Sequence, residues 1–318
     1  MTTYILRRLI EAVFVLLILT CLVFFCMRLV PGDPIFLYMD STDVNMLTPE
    51  KIAALKHELG LDQPLIVQYG RWLANAVRGD LGMSLFYSDR VSKMIAERLP
   101  VTIHLGIFAF ILSSVVGIVL GIVAAVRRGR WLDTVATLAA NLFITIPMFW
   151  LGILLILALG LYAGILPISG YTSPFEDFWL STKQLIMPVL CLAVGSMGSN
   201  ARLTRTSMLE VIHQDYIRTA WSKGLKEKSI ISKHALKNSL IPVVTVLGLH
   251  IRIIFGGAVL IETVFSIPGM GSLMVDATFN KDYTLVQGGV MVVAIIVILS
   301  NLIVDISYGW LDPRVRYD

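Results

Sequence analysis

Charge is the scarcest commodity in this sequence. Asp, Glu, Lys and Arg together make up 15% of its 318 residues, against about a quarter in soluble domains. Apolar residues reach 56%, and the mean hydropathy is +0.78. Such a surplus cannot be hidden in one soluble core. It is gathered instead into runs that match the roughly 20-residue helix needed to cross a bilayer. Cysteine is scarce too. Cys21, Cys26 and Cys191 all lie in apolar stretches, and Cys21 and Cys26 fall on different helix faces, so neither a disulfide framework nor a thiolate metal site is expected. The net charge of +4 is mild. The basic residues flank apolar runs rather than forming a soluble stripe, which argues against a nucleic-acid partner.

Catalytic motifs are also missing. The sequence has no G-x-x-x-x-G-K-[ST], hence no phosphate-cradling loop of its own. It has no H-E-x-x-H and no G-x-S-x-G. The five histidines, His57, His104, His213, His234 and His250, show no metal-ligand spacing. Chains of membrane-embedded acids, which carry protons in pumps, are absent as well. The chain is therefore not expected to be an enzyme, and energy for uphill movement of a solute would have to come from a partner.

What is present is a series of six apolar runs, near 12–30, 101–126, 134–161, 185–201, 241–264 and 286–308. They predict an all-α membrane protein with six transmembrane helices. Arg7 and Arg8 precede the first run, which is longer than a signal-peptide core and ends in Val30-Pro31-Gly32-Asp33-Pro34, no cleavage site. It reads as a retained helix. Arg127, Arg128 and Arg130 crowd one short loop, while Lys183 and Lys281 stand alone in the later loops of the other side. Basic residues favour the cytoplasmic side, so both termini are expected there. The division that follows is 1–30, an N-terminal segment and first helix; 31–100, an extracytoplasmic helical segment; and 101–318, a core of five helices with a loop at 202–241.

Within 31–100, Thr48-Pro49-Glu50 predicts a helix start and Gly60 a stop. A second helix is expected from Pro64 to Arg78, with Tyr69 and Trp72 suited to a membrane interface. Gly117 with Gly121, and Gly160 with Gly164, have the spacing that lets helix backbones approach closely. His250 and Arg252 lie in the fifth run. A cation at that depth is costly and usually meets a cavity or a partner. His250 and Arg252 are read as candidates for lining a translocation pathway, with Arg252 meeting the substrate's carboxylate or peptide groups, and a purely structural ion pair with a partner permease or neighbouring helix is the alternative.

The most informative stretch is the basic loop 202–241. Asp215-Tyr216-Ile217-Arg218-Thr219-Ala220-Trp221-Ser222 predicts a short amphipathic helix. Gly224 and Leu225 follow as its turn, and a second short helix leads to Pro242 at the opening of the next span. Ala220 is small enough for close approach to a partner groove, and Tyr216 and Trp221 could anchor an interface.

This loop resembles the EAA-type loop of permease subunits in binding-protein-dependent ABC importers, in the dipeptide, oligopeptide and nickel class. The general pattern is E-A-A, three residues, then G. Here Arg218-Thr219-Ala220 and Gly224 depart from E-A at two positions, in the form typical of the peptide class. Leu29-Val30-Pro31-Gly32-Asp33-Pro34, Leu59-Gly60-Leu61-Asp62-Gln63-Pro64, Arg202-Leu203-Thr204-Arg205, Glu262-Thr263-Val264-Phe265, Asp282-Tyr283 and Leu311-Asp312-Pro313-Arg314 extend the resemblance over nearly the whole chain. The resemblance implies a type I importer permease in the bacterial or archaeal inner membrane. Its partners would be a second homologous permease, two ATPase subunits and an extracytoplasmic solute-binding protein, all within or against the lipid bilayer. ATP and Mg would be bound by the ATPases, and no cofactor by this chain. Asp215, Tyr216, Arg218, Thr219, Ala220, Trp221, Gly224 and Leu225 would couple the permease to an ATPase. The implied cargo is a small peptide. Nickel, a metal chelate or a glutathione-like peptide remain open, and an intramembrane enzyme or a scaffold are the readings from other classes.

Overall fold

A computed structural model describes residues 2–29, 57, 62–84 and 86–311. The helix expected between Thr48 and Gly60 (His57 apart), the Val30–Pro34 stretch, and Arg314 and Arg316 lie outside the described residues. Among the described residues eleven α-helices follow in order: α1 Thr2–Leu29, α2 Leu65–Val77, α3 Val91–Val126, α4 Trp131–Thr145, α5 Met148–Leu155, α6 Phe178–Ile212, α7 Asp215–Ser222, α8 Glu227–Ser229, α9 Leu236–Val264, α10 Met270–Phe279 and α11 Tyr283–Leu311. A minimal hairpin, β1 Met83–Ser84 and β2 Asp89–Arg90, pairs antiparallel with Ser84 opposite Asp89. The chain divides into two compact units, one of residues 1–101 with 269–298, the other of 102–268 with 299–318.

In the first unit α2 begins where Pro64 sets the entry and ends at Arg78, as the sequence predicts. Its Tyr69 hydroxyl lies 3.0 Å from the Thr20 hydroxyl of α1, and the Tyr69 ring meets Phe24 edge-on. Trp72 packs on a core of Leu81, Val91, Ile95, Met270, Leu273 and Leu285. The hairpin is tied to α11 through Asp282. Its carboxylate accepts from the buried Ser84 hydroxyl and caps the Leu285 N–H at 3.0 Å. Burial, with Asp276 adding to it, raises the Tyr87 phenol above its usual pKa.

The second unit is built around α6. The Asp177 carboxylate caps its start by accepting from the Leu180 N–H at 2.9 Å. A Cβ at Gly117 of α3 would come within 2.6 Å of Asn200, and one at Gly121 within 2.5 Å of Thr204. This expected glycine pair therefore allows α3 and α6 to touch backbone to side chain. The second pair does something else. Gly160 abuts Ile168 of its own connecting segment, and Gly164 forms a turn at φ +63°.

Three spans differ from the sequence expectation. The run 134–161 is not one rod, because α4 and α5 meet at 101°. Ile146 adopts φ −69°, ψ 122°, the extended conformation imposed on a residue before proline. α6 is much longer than 185–201 and carries helix through Arg202 to Ile212, inside the segment expected as loop. Pro242 lies within α9 instead of opening it, as membrane helices tolerate. Among the described residues five helices are long and apolar enough to cross a bilayer, and the bent pair α4–α5 makes a sixth if it counts as one span.

Candidate functional site: a helix clamped under the bundle

α7 is short, and its two faces have different fates. Ile217 and Ala220 are 1% and 6% exposed. They pack into a core with Ala125 of α3, Met208 of α6, and Ile230 and Ala235 beyond α8. Tyr216, Trp221 and Leu225 are 44%, 48% and 40% exposed. Asp215, Arg218, Thr219 and Gly224 are also exposed. Asp215 lies in the first turn, where the helix dipole favours a negative charge, and Arg218 pairs with it at 3.4 Å.

The end of α7 is closed by a Schellman motif. The Gly224 N–H donates to the Trp221 carbonyl at 2.9 Å, and the Leu225 N–H reaches back to the Ala220 carbonyl at 3.4 Å. This geometry needs a left-handed residue after the helix, and Gly224 supplies it at φ +72°. On the far side the Asn238 amide of α9 donates to the Tyr216 hydroxyl at 3.0 Å. The loop is thus held at both ends, and a cavity of about 210 Å³ lies behind it, bordered by Arg128, Leu209, His213, Ile217 and Trp221.

One sequence reading needs correction here. Ala220 does not offer its small side chain to a partner, since it faces inward onto the protein's own core. The helical phase of α7 decides this: Ile217 and Ala220, three apart, share the face that the apolar core claims.

The structure does not bring His250 and Arg252 together. Two residues apart on α9, they point to opposite sides. His250 is buried, and its Nδ1 has no hydrogen-bond partner among the described residues. Arg252 is exposed on a stripe with Leu249, Ile253, Gly256 and Leu260.

Two polar pairs escaped sequence reasoning. Arg205 of α6 grips Asp133 of α4 with two bonds, Nε to Oδ1 at 2.8 Å and Nη2 to Oδ2 at 3.0 Å. Asp133 also accepts from the Gly129 N–H at 3.0 Å. The fully buried Glu262 of α9 accepts from the Thr102 hydroxyl at 2.5 Å. A lone acid at the start of an apolar run, and a lone acid inside one, were the available signals.

The family model for the "Binding-protein-dependent transport system inner membrane component" matches residues 117–317, and that for the N-terminal part of such membrane components matches residues 1–106. The chain belongs to this family. It is a multi-pass permease subunit of the inner membrane, of the kind that works with ATPase and solute-binding subunits. Its relatives agree over their full lengths. A "Putative peptide transport system permease protein" of Brucella abortus is 44% identical over 321 residues, covering 100% of both chains. The dipeptide transport system permease protein DppB of Escherichia coli is 37% identical over 340 residues, covering 100% of this chain and 99% of that one. Among solved structures, the inward-facing MetNI methionine ABC transporter matches with a TM-score of 0.57 at 18% identity, over 69% of this permease and 96% of that chain. That likeness concerns the fold.

Proposed function

We propose that this permease carries small peptides across the inner membrane, powered by ATPase subunits that engage the outer face of α7. The observation that carries the coupling is the two-faced build of α7. Its apolar side is cemented to α3 and α6 and its end is fixed by Gly224, while Tyr216, Arg218 and Trp221 remain outside. Exposed aromatic and arginine side chains are the groups that dominate protein interfaces. Peptide cargo is supported by the names and full-length identity of the relatives. No relative reported above is named for nickel or a metal chelate.

The complete assembly in this reading has a second homologous permease, two ATPases and an extracytoplasmic binding protein. ATP and Mg belong to the ATPases, which fits a sequence without a phosphate-cradling loop. Both termini and the 202–241 segment lie in the cytoplasm, which the basic loops support. Residues 31–100 form the outer segment, where the exposed Arg71 of α2 and Arg78 at its end offer a landing surface to the binding protein. Arg252 faces the pathway or the sister permease.

Reconstitution in proteoliposomes with the other subunits tests the reading. ATP-dependent uptake of labelled di- and oligopeptides is expected. Uptake of a nickel chelate without peptides would overturn the cargo, and a complex whose ATP hydrolysis ignores every solute would leave only a scaffold. Alanine at both Tyr216 and Trp221 is expected to release the ATPases while leaving the protein in the membrane.

A further inference from the structure

A second cavity, of about 280 Å³, lies between α3, α4 and α6, away from α7. That is far more than the roughly 30 Å³ share of one water. Its walls are uneven. Ala136 and Ala140 of α4 and Ala201 of α6 make one side smooth, while Arg202, Arg205, Thr137, Asn141 and Thr206 line the rest.

Several donors there lack acceptors. The Arg202 side chain is exposed and has no acidic partner among the described residues. Arg205 commits Nε and Nη2 to Asp133, which leaves Nη1 without a hydrogen bond to any described residue. The Asn141 amide likewise has no protein partner among them. Against these two arginines stands one carboxylate, Asp133, so the cavity keeps one net positive charge.

The polar wall borders an apolar one. Trp131, Val135, Leu138 and Leu142 recur at i, i+4, i+7 and i+11 along α4 and are 71%, 54%, 62% and 57% exposed. Such a stripe is a surface for acyl chains, and a tryptophan at its basic end is the residue that prefers the headgroup layer. Thr137 and Asn141 flank this stripe on the same helix. A molecule with an anionic head and hydrocarbon tails carries a group suited to each wall.

We propose that this cavity binds the phosphate of an acidic phospholipid from the cytoplasmic leaflet, with Arg202 and the free Nη1 of Arg205 as donors and the Trp131–Leu142 stripe against its chains. Basic pockets between membrane helices on the cytoplasmic side are known acceptors of such headgroups. The inference rests on the cytoplasmic placement proposed above, which can be tested separately. Arg127→Cys should react with an impermeant maleimide only from the cytoplasmic side, and labelling from outside would overturn the choice of leaflet without touching the lipid assignment.

The test uses the whole complex, purified from its own membrane, delipidated, and titrated in phosphatidylcholine nanodiscs with phosphatidylglycerol. Native mass spectrometry reads the retained lipid. Phosphatidylglycerol is expected to be retained over phosphatidylcholine, and Arg202→Gln to weaken it by about fivefold, the share of one arginine near a headgroup. Arg127→Gln, outside the cavity, is the control and should change retention little. Equal loss in both variants, or equal retention of the two lipids, would overturn the site. Displacement of the lipid by millimolar inorganic phosphate would mean a free-anion site and overturn the lipid assignment.

Discussion

Gly224 is the residue at which a single substitution should sever transport from ATP hydrolysis. It sits at φ +72°, and a Cβ built there would meet no atom within 4 Å. A Cβ therefore meets no neighbour, and the cost it brings is conformational. For an L-residue held in the left-handed region that cost is about 1–2 kcal/mol. It lowers the closed-to-open ratio of the Schellman turn by a factor of about 5–30. Asn tolerates this region better than other side chains, and a β-branched residue tolerates it least. The expected order is Gly224→Asn close to the parent, Gly224→Ala impaired, and Gly224→Val worst. The assay is retention of the ATPases in a pull-down together with peptide uptake in the same membranes. Because α7 is also held through Ile217 and Ala220, the Val variant should still insert and pair with its sister permease. Full ATPase retention and uptake in Gly224→Val would refute the reasoning. So would an Asn variant as damaged as the Val one, since the cause could then not be the backbone angle.

Ile217→Ala removes a side chain that is 1% exposed. It should cost about 2–5 kcal/mol through the cavity left behind and lower both the thermal midpoint of the purified complex and ATPase retention. Asp133→Asn keeps the shape but removes the charge that Arg205 grips twice. A loss of about 2 kcal/mol, the size of a charged hydrogen bond, should appear as earlier thermal unfolding, with Arg205→Lys only partly equivalent because it cannot fork. Arg252→Ala should impair uptake without dispersing the complex. Full transport in both the Ala and Lys variants would remove Arg252 from the pathway, and collapse of assembly would make it structural. Replacing the exposed residues of 64–78 should weaken stimulation of ATP hydrolysis by the binding protein, and unchanged stimulation would rule that surface out.

The parts of this fold that were legible in the sequence are local ones. The helix at 64–78 announced itself through Pro64 and an apolar face, and the turn at Gly224 through a glycine after a short amphipathic run. The bend in the third span was written in Ile146-Pro147, but proline inside a membrane run reads as tolerated, and only the extended backbone of Ile146 reveals a break. The extension of α6 to Ile212 was hidden because hydropathy marks where lipid ends, not where helix ends. Ser84 with Asp282, Thr102 with Glu262, and Asp133 with Arg205 are separated by 198, 160 and 72 positions. No periodicity connects such partners. The inward turn of Ala220 was missed for a similar reason. Its small size says that something comes close, and only the packed structure says that the neighbour is the chain itself.

The fastening of α7 has a mechanical consequence. Its inner face shares one core with the ends of α3 and α6, and the Asn238–Tyr216 bond ties it to the start of α9. A load applied to its outer face therefore passes into that shared core. It arrives at three long helices together, as a wrench turns several bolts cast into one plate. Stiffness at this joint, more than strength of grip on whatever lies beneath, would set how much of each stroke reaches the membrane.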